Sequence, residues 1–307
     1  MLHFQFINKD QIDRAQWDYC INQSGNGLIY GQSFFLDNIS LGWGGLVGEN
    51  YDWVLPVVSN KKFGITYVYQ PPFAQQFGIY AKAGVEIPYQ EIITWLKANY
   101  RFWEINWNAS TSEHLADEAI IKTPAANFVL DLSKGYDAIA QYYHNDLLKN
   151  LKRSSQFGLS YQPSDDYGQI IDLYIKHYAT RIPNVLAKDF DNFKKLCHFA
   201  KQKKMLLCKN ALNGEGNVVA TALLLTDGNR LYNMMNTTTN EGRKISANHF
   251  LIDSIIGEFS GQPFIFDFEG SDLPGVKSFY ENFGSANETY YQIKYNNLPW
   301  HARLFKR

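Results

Sequence analysis

FDFEGSDLPGVKSFYENFG, residues 266–284, contains the pattern that best indicates the fold of this chain. Aromatic residues and carboxylates alternate first, Gly-Ser-Asp and Pro-Gly follow, and an aromatic-rich segment then ends in Phe-Gly. Alternation with a period of two predicts a short strand, and the segment VKSFYENF predicts a helix after the loop. The stretch therefore indicates a strand, a loop and a helix, as in mixed α/β proteins.

Three side chains in this stretch could carry chemistry. Asp267 and Glu269 are expected to share one face of the strand, because side chains two residues apart point the same way. A carboxylate at the end of a strand, beside a loop, can act as a general base toward an amine. A phenol such as that of Tyr280 can give a proton to a leaving thiolate. The alternatives are carboxylate hydrogen bonds to the turn backbone and ordinary core packing of the tyrosine.

LYNMMNTTTNEGRKISANHFLIDSIIGEF, residues 231–259, places a polar turn between a predicted strand and a predicted helix. Gly242, Arg243 and Lys244 form this turn, and the helix is expected to open near Ser246. Helix N-termini present unpaired N–H groups and a positive dipole end, so the junction suits a phosphate group. The alternative is a surface helix capped by Ser246, with solvated basic residues.

The rest of the chain repeats this alternation of helices and strands. IPYQEIITWLKANY is an amphipathic helix followed by the strand RFWEINWN, and Asp227-Gly228 is the turn signal of a later hairpin. Its 307 residues exceed the usual size of one domain. We predict an α/β (α+β) protein of two similarly built lobes, residues 1–128 and 129–307, each a mixed, mostly antiparallel sheet flanked by helices.

Composition narrows the class of protein. The formal net charge of −1 lacks the basic excess of a dedicated nucleic-acid binder. Three cysteines without a Cys-x-x-Cys pair argue against a disulfide framework and favour a reducing compartment. The N-terminal stretch lacks the apolar core of a signal peptide, and no apolar run approaches the roughly 20 residues of a membrane span. We expect a cytoplasmic protein, monomeric or a homodimer.

Several familiar catalytic motifs are absent from the sequence. The seven histidines show no metal-ligand spacing with cysteines or carboxylates, so no metal site is expected. The chain also has no P-loop, no G-x-S-x-G elbow and no G-x-G-x-x-G after a strand.

Taken together, these segments resemble the C-terminal half of the GNAT acyltransferase superfamily, and more closely its double-lobed Fem-type branch. Ser278-Phe279-Tyr280-Glu281-Asn282-Phe283-Gly284 is similar to the GNAT segment in which a tyrosine after Phe protonates the departing thiolate. Fem-type aminoacyltransferases commonly have Phe-Lys at this place, so Tyr280 favours a CoA-type donor. The resemblance covers residues 130–307, and the first half is similar in architecture alone.

The resemblance also implies roles for the junction. GNAT proteins hold the acyl-CoA pyrophosphate at a helix N-terminus after a loop with Arg or Gln, two residues, Gly, one residue, and Gly or Ala. Residues 241–247 match this pattern partially. The implied cofactor-binding residues are Gly242, Arg243, Lys244, Ser246, Ala247 and Asn236. The backbone from Asn233 to Asn236 would polarise the thioester carbonyl.

Two further segments are candidate substrate-binding sites. Lys152 and Arg153 belong to a basic cluster near a helix end, where they could touch a phosphate or could simply complement the helix dipole. Gln70, Phe73 and Gln75 lie in an aromatic, proline-containing loop. Gln amides and aromatic faces recognise peptides or sugars, although a rigid packed loop is an equal alternative.

The sequence thus predicts transfer of an acyl group from acetyl-CoA or another acyl-CoA to an amine. Asp267 or Glu269 would receive the amine proton, and Tyr280 would protonate the leaving group. The acceptor would be a small molecule, a peptide or a cell-wall precursor. One alternative is a Fem-type aminoacyltransferase that uses aminoacyl-tRNA, which the near-neutral charge disfavours. The other is a catalytically inactive double lobe that binds a peptide or glycan.

Overall fold

The computed structural model describes residues 4–40, 42–182, 184–270 and 273–300. The chain forms two compact units, one comprising Met1–Ala125 and Thr289–Arg307 and the other Ala126–Glu288. Each unit has its own mixed sheet flanked by helices, which confirms the predicted fold class. No helix among the described residues is long and apolar enough to cross a membrane.

The secondary-structure elements are numbered in chain order. The strands are β1 Phe4–Asn8, β2 Trp43–Gly48, β3 Trp53–Lys62, β4 Ile65–Tyr69, β5 Tyr80–Ala81, β6 Phe102–Asn108, β7 Ile120–Ala125, β8 Phe128–Asp131, β9 Ser160–Pro163, β10 Leu206–Leu212, β11 Val218–Thr226, β12 Arg230–Thr238, β13 Ile265–Asp267, β14 Ala286–Asn287 and β15 Tyr290–Asn296. The helices are α1 Arg14–Gln23, α2 Ser33–Ile39, α3 Tyr89–Asn99, α4 Ala109–Ser112, α5 Tyr136–Ala140, α6 Asn145–Ser154, α7 Tyr167–Tyr178, α8 Ala187–Gln202, α9 Asn240–Lys244, α10 Ala247–Phe259 and α11 Pro274–Glu281.

The first unit is built on a sheet with the order β1-β2-β3-β4-β6-β15-β7, and β5 pairs with β3 beside this path. β4 and β6 run parallel, whereas β15 is antiparallel to both of its neighbours. Ile293 of β15 faces Ile105 of β6 on one side and Lys122 of β7 on the other. The sequence-based division at residue 128 put β15 in the second lobe, but its backbone pairing places it in the first unit.

Aromatic side chains fill the core of the first unit. Trp17 and Trp103 are fully buried, and the indole Nε1 of Trp17 donates a 2.9 Å hydrogen bond to the carbonyl of Gly31. Trp103 packs on Tyr295 of β15 with ring centroids 5.1 Å apart. Aromatic residues make up 16% of the chain, and those in this core stabilise it because large rings bury the most apolar area.

The second unit is built on a sheet with the order β14-β8-β13-β12-β11-β10-β9. β12 and β13 run parallel, and the neighbouring pairs are antiparallel. β11 and β12 form the hairpin that Asp227-Gly228 predicts, with Gly228 at φ +96. Such a turn needs a positive φ, which glycine adopts without steric cost.

Helix α10 covers one face of the second sheet. Its residues Leu251, Ile252 and Ile255 are fully buried, in one apolar cluster with β11 and β13. α10 is in contact with β10, β11 and β12 and with α6. Burial of each such side chain contributes roughly 1.5–3 kcal/mol to the free energy of folding. Because these side chains hold α10 against the sheet, they also set the position of its first residues relative to β12.

Candidate functional site

Strands β12 and β13 pair over a short length and then part. Their parallel register runs from Arg230 opposite Ile265 to Tyr232 opposite Asp267. β13 ends there, whereas β12 continues to Thr238. An opening therefore forms between the second half of β12 and the residues that follow β13.

A β-bulge lies in β12 where this opening begins. Leu225 faces Tyr232 and Leu223 faces Met235, so Asn233 and Met234 together oppose the single residue Leu224. A bulge leaves backbone groups out of the ladder and changes the direction of side chains. Both bulge residues line the opening, which places the segment expected to polarise a carbonyl at its wall.

The opening is a cavity of about 680 Å³ within the second unit. Its wall includes residues from six parts of the chain: Tyr174 and Tyr178 of α7, Asn236 and Thr238 of β12, Arg243 of α9, Asn248 and His249 of α10, Glu269 after β13, and Tyr280 of α11. It therefore brings together Glu269, Tyr280, Asn236, Gly242, Arg243 and Ser246 of the residues predicted from the sequence.

Tyr280 lies on the cavity wall, with its ring in an aromatic cluster. The ring centroids of Phe268 and Phe279 are 4.8 Å and 5.8 Å from that of Tyr280. Burial raises the pKa of Tyr280 above its ordinary value, and the charge of Glu269 raises it further. The phenol is therefore protonated at neutral pH, as a proton donor must be.

Glu269 has an unusual backbone conformation at the edge of the cavity. Its φ is +59, in the left-handed region that residues with a Cβ rarely adopt. β13 has already ended at Asp267, so the period-two rule does not extend to Glu269. The side chains of Asp267 and Glu269 therefore have different environments, which corrects the expectation that they share one strand face.

Asp267 is fully buried and is not among the described residues that line the cavity. Its Oδ2 accepts a 2.7 Å hydrogen bond from Nη1 of Arg230, and its Oδ1 accepts one of 2.9 Å from the N–H of Glu269. Asn127 completes this network. Its Nδ2 donates to Asp267 Oδ2 at 3.2 Å, and its Oδ1 accepts from the N–H of Gly270 at 2.9 Å. Asp267 thus holds the loop that carries Glu269, and the role of base is better suited to Glu269.

The polar turn before α10 forms the short helix α9. Thr239 caps it, because its side chain accepts a 3.0 Å hydrogen bond from the N–H of Gly242. A Cβ on Gly242 would lie 2.2 Å from the carbonyl oxygen of Val219, so this glycine allows α9 to pack closely on β11. Lys244 is exposed and Ala247 is fully buried, and neither is among the described residues of the cavity wall.

Ser246 occupies the N-cap position of α10, but its side chain does not cap the helix. Its hydroxyl instead donates a 2.8 Å hydrogen bond to Oδ1 of Asn150 on α6, and its φ is +55. The first N–H groups of α10 therefore receive no side-chain cap from Ser246. Arg243 on the same side of the cavity donates a 3.3 Å hydrogen bond to Asn240.

The sequence-based predictions did not include five polar residues of the described cavity wall: Tyr174, Tyr178, Thr238, Asn248 and His249. The Oδ1 of Asn248 and the Nδ1 of His249 are buried without a hydrogen-bond partner among the described residues. Tyr174 and Tyr178 are spaced by four residues on a predicted helix, a pattern that more often indicates core packing. The sequence offered no signal to separate these residues from ordinary core positions.

The predicted substrate-binding residues lie elsewhere. Lys152 and Arg153 are exposed in the last turn of α6 and are not among the described residues of the cavity wall.

In the first unit, Gln70 Nε2 donates to the carbonyl of Ala74 at 2.8 Å, and Gln70 Oε1 accepts from the N–H of Asn106 at 3.0 Å. Gln75 Oε1 accepts from Nε2 of Gln76, and Phe73 has φ +66. These hydrogen bonds favour a rigid, packed loop over a substrate-binding site for this segment.

Comparison with known proteins identifies the fold. No protein-family model matches the chain, and no curated protein matches it in sequence. Among solved structures, FemX has a TM-score of 0.66 with 10% identity, over 99% of this chain and 100% of FemX. The C-terminal domain of a proposed lysylphosphatidylglycerol synthetase from Agrobacterium fabrum has a TM-score of 0.58 with 12% identity, over 95% of this chain and 93% of that domain.

A GCN5-related N-acetyltransferase from Sphaerobacter thermophilus has a TM-score of 0.50 with 11% identity, over 95% of both chains. At these identities the likeness concerns the fold alone. The fold is thus the double-lobed GNAT and Fem-like fold that the sequence resemblance implied. No group of three or more His, Cys, Asp or Glu side chains suited to a metal ion occurs among the described residues.

Proposed function

We propose that this protein transfers an acyl group from a thioester to an amine, in the cavity between β12 and the end of β13. The observation that carries the proposal is the presence of Glu269 and Tyr280 on one cavity wall, beside the bulge of β12. A base, a proton donor and free backbone groups are the three requirements of acyl transfer to nitrogen. The shared fold with N-acyltransferases supports the same reaction class.

In the proposed reaction, two protons leave the acceptor nitrogen and one is added to the leaving thiolate. The acceptor binds as an ammonium, Glu269 takes one proton, and the amine nitrogen attacks the thioester carbonyl carbon. Backbone N–H groups at Asn233 and Met234 stabilise the developing oxyanion. The new C–N bond forms and the C–S bond breaks. Tyr280 donates its phenolic proton to the leaving thiolate and is reprotonated from solvent. Glu269 releases its first proton to solvent and then takes the second nitrogen proton, so that the amide product is neutral.

The proposed donor is an acyl-CoA. Its pyrophosphate would lie at the start of α10, where the first N–H groups lack a side-chain cap and Arg243 supplies a positive charge. Gly242 and Ser246 would support the pyrophosphate site by packing rather than by contact with the pyrophosphate. Gly242 packs closely on β11, and the hydroxyl of Ser246 is hydrogen-bonded to Asn150. The Nδ2 of Asn236 lies 3.4 Å from the carbonyl of Thr221. This side chain would face the part of the acyl-CoA between its pyrophosphate and its thioester.

An aminoacyl ester carried by tRNA is the second candidate donor, because the fold likeness is greater to FemX than to the GCN5-related enzyme. Tyr280 stands against it, since the Fem-type enzymes that this chain resembles commonly have Lys there. The two donors differ in how binding depends on salt, because a polyanionic tRNA releases many counterions on binding.

Calorimetric titration with acetyl-CoA and with longer acyl-CoAs tests the proposal. We expect saturable binding of at least one acyl-CoA below millimolar concentration, and loss of affinity when Arg243 is replaced by Gln. Absence of binding at millimolar acyl-CoA would contradict the CoA donor. Aminoacyl-tRNA would then be tested by gel shift at two salt concentrations. Failure of both donors would leave a protein that binds a peptide or glycan without turnover.

A further inference from the structure

Helix α7 contributes two tyrosines, Tyr174 and Tyr178, to the cavity wall. Asp166 caps this helix with a 2.8 Å hydrogen bond from the N–H of Gln169. Tyr174 and Tyr178, four residues apart, lie on one helix face with ring centroids 5.2 Å apart. α7 packs on β12, and both rings line the cavity together with Asn236 and Thr238 of that strand.

Glu269 lines the same cavity as these two tyrosines. Burial raises the pKa of Tyr174 above its ordinary value, and the neighbouring Tyr178 and Glu269 raise it further. The same carboxylate affects Tyr280 in the same direction. Glu269, Tyr174, Tyr178 and Tyr280 all line the same cavity, so these side chains form one cluster on its wall.

The two sides of the cavity differ in charge. Arg243 supplies the positive charge near α9, where it is bonded to Asn240. The described wall also includes the aromatic rings of Tyr174 and Tyr178 on α7 and the carboxylate of Glu269. Aromatic faces attract cations through their quadrupole, and a partly buried carboxylate attracts them through its charge. The α7 side is therefore suited to a cationic group.

We propose that Tyr174, Tyr178 and Glu269 form an ammonium-binding subsite that selects the acceptor. The fate of the bound group rests on the proposed function, since the acceptor amine would enter as an ammonium and lose its proton to Glu269. The binding itself does not rest on catalysis. The acceptor is accordingly a primary amine whose ammonium group has small or apolar neighbours, and an anionic acceptor such as a phosphorylated amine is disfavoured.

The competing interpretation is that the two tyrosines only pack. Tyr174 also contacts Phe190 of α8, with ring centroids 6.5 Å apart, so it has a structural neighbour on the side away from the cavity. Packing alone would make a cation and a neutral molecule of the same shape bind equally. A pair of isosteric probes separates the two interpretations without needing the natural acceptor.

The probes are choline and its neutral isostere 3,3-dimethylbutan-1-ol, titrated against the full chain and observed by ligand-detected NMR. We expect choline to bind at least fivefold more tightly than the alcohol, as a cation–π contact of about 1 kcal/mol implies. The double variant Tyr174→Leu with Tyr178→Leu should lose this preference. Tyr174→Phe with Tyr178→Phe should keep it, because the ring faces remain. Tyr167→Leu, on the same helix but outside the described cavity wall, is the matched control.

Equal binding of the two probes, or an unchanged preference in the Leu double variant when its thermal unfolding matches the wild type, would overturn the subsite. Should the Leu double variant fail to fold, Glu269→Gln gives the same decision, since it should lower choline affinity without affecting the alcohol. Choline binding without acyl transfer would keep the subsite and reject the proposed function. If the protein transfers acyl groups but choline does not compete with the acceptor amine, the proposed function stands and the subsite is rejected.

Discussion

The N–H of Glu269 donates a 2.9 Å hydrogen bond to Oδ1 of Asp267, so a buried carboxylate holds the residue whose own carboxylate lines the cavity. Asp267 is anchored in turn by Arg230 and Asn127. The strained backbone of Glu269, with φ +59, is therefore imposed by a network beneath it. Two acidic residues that look equivalent in the sequence thus have separate roles in the structure.

The first prediction concerns the backbone strain at Glu269. Glu269→Gly and Glu269→Ala both remove the carboxylate, and both should abolish acyl transfer. Only glycine adopts φ +59 without steric cost, so the Gly variant should be more stable than the Ala variant by about 1 kcal/mol. Urea denaturation measures the difference. Equal stability of the two variants would show that the left-handed conformation is not maintained in solution.

The second prediction compares the two acidic partners of Arg230. Its Nη1 is 2.7 Å from both Asp267 and Glu288, whose side chains are 1% and 44% exposed. Asp267→Asn should destabilise the protein by about 3 kcal/mol, because it breaks a buried ion pair. Glu288→Gln should destabilise it by about 1 kcal/mol or less, as for other partly exposed pairs. Similar losses in both variants would contradict a special role for burial here.

The third prediction separates Tyr280 from the core. Tyr280→Phe keeps the ring packed against Phe268 and removes the proton donor. We expect kcat to fall roughly 10- to 10⁴-fold while the thermal midpoint changes little. The fall should be smallest with donors whose leaving thiol is the most acidic, since these need the least protonation. Unchanged kcat would assign Tyr280 to packing alone.

The fourth prediction tests why residue 242 is glycine. Gly242→Ala would place a Cβ 2.2 Å from the backbone oxygen of Val219, which cannot move aside easily. We expect a loss of about 1–3 kcal/mol in the free energy of unfolding, as for other overpacked sites. Gly275→Ala is the control, because its Cβ would meet nothing within 4 Å. A neutral Gly242→Ala would favour a ligand-related role for this glycine.

The fifth prediction concerns the pH dependence of stability at His249. Burial lowers the pKa of His249 below its ordinary value, against a smaller opposing effect of Asp146. As the pH falls below about 6.5, the unfolded chain binds a proton that the folded chain does not, so His249 makes stability decrease until its lower folded pKa is reached. His249→Gln should therefore reduce the loss of stability between pH 7.5 and about pH 5, measured by urea denaturation. An identical loss in wild type and variant would contradict a neutral buried imidazole.

Much of the fold could be predicted from local patterns. The Asp227-Gly228 hairpin and the strand–loop–helix at residues 266–284 follow from turn chemistry and periodicity. The position of β15 could not be predicted in this way, because the residues of a strand do not indicate which distant segments of the chain will pair with it. Its pairing with β6 and β7 depends on contacts across more than half of the sequence.

The candidate site was predictable where a motif stood next to a helix or strand end, as at Tyr280 and Arg243. Asp267 was assigned to it because the period-two rule assumes that the strand continues. The strand in fact stops at Asp267, and Glu269 turns into the left-handed region. The tyrosines of α7 were missed because four-residue spacing of aromatic residues is the same for a packed helix and for a cavity wall.

The position of β15 between β6 and β7 in the first sheet sets an order for the assembly of the chain. On a ribosome, Ala126–Glu288 emerges before Tyr290–Asn296, so the second unit has its whole sequence available while β6 and β7 still lack the strand that joins them. The first unit, although it is begun first, can close its sheet only last. Loss of the final strand would consequently damage the unit that holds the N-terminus before it affected the cavity.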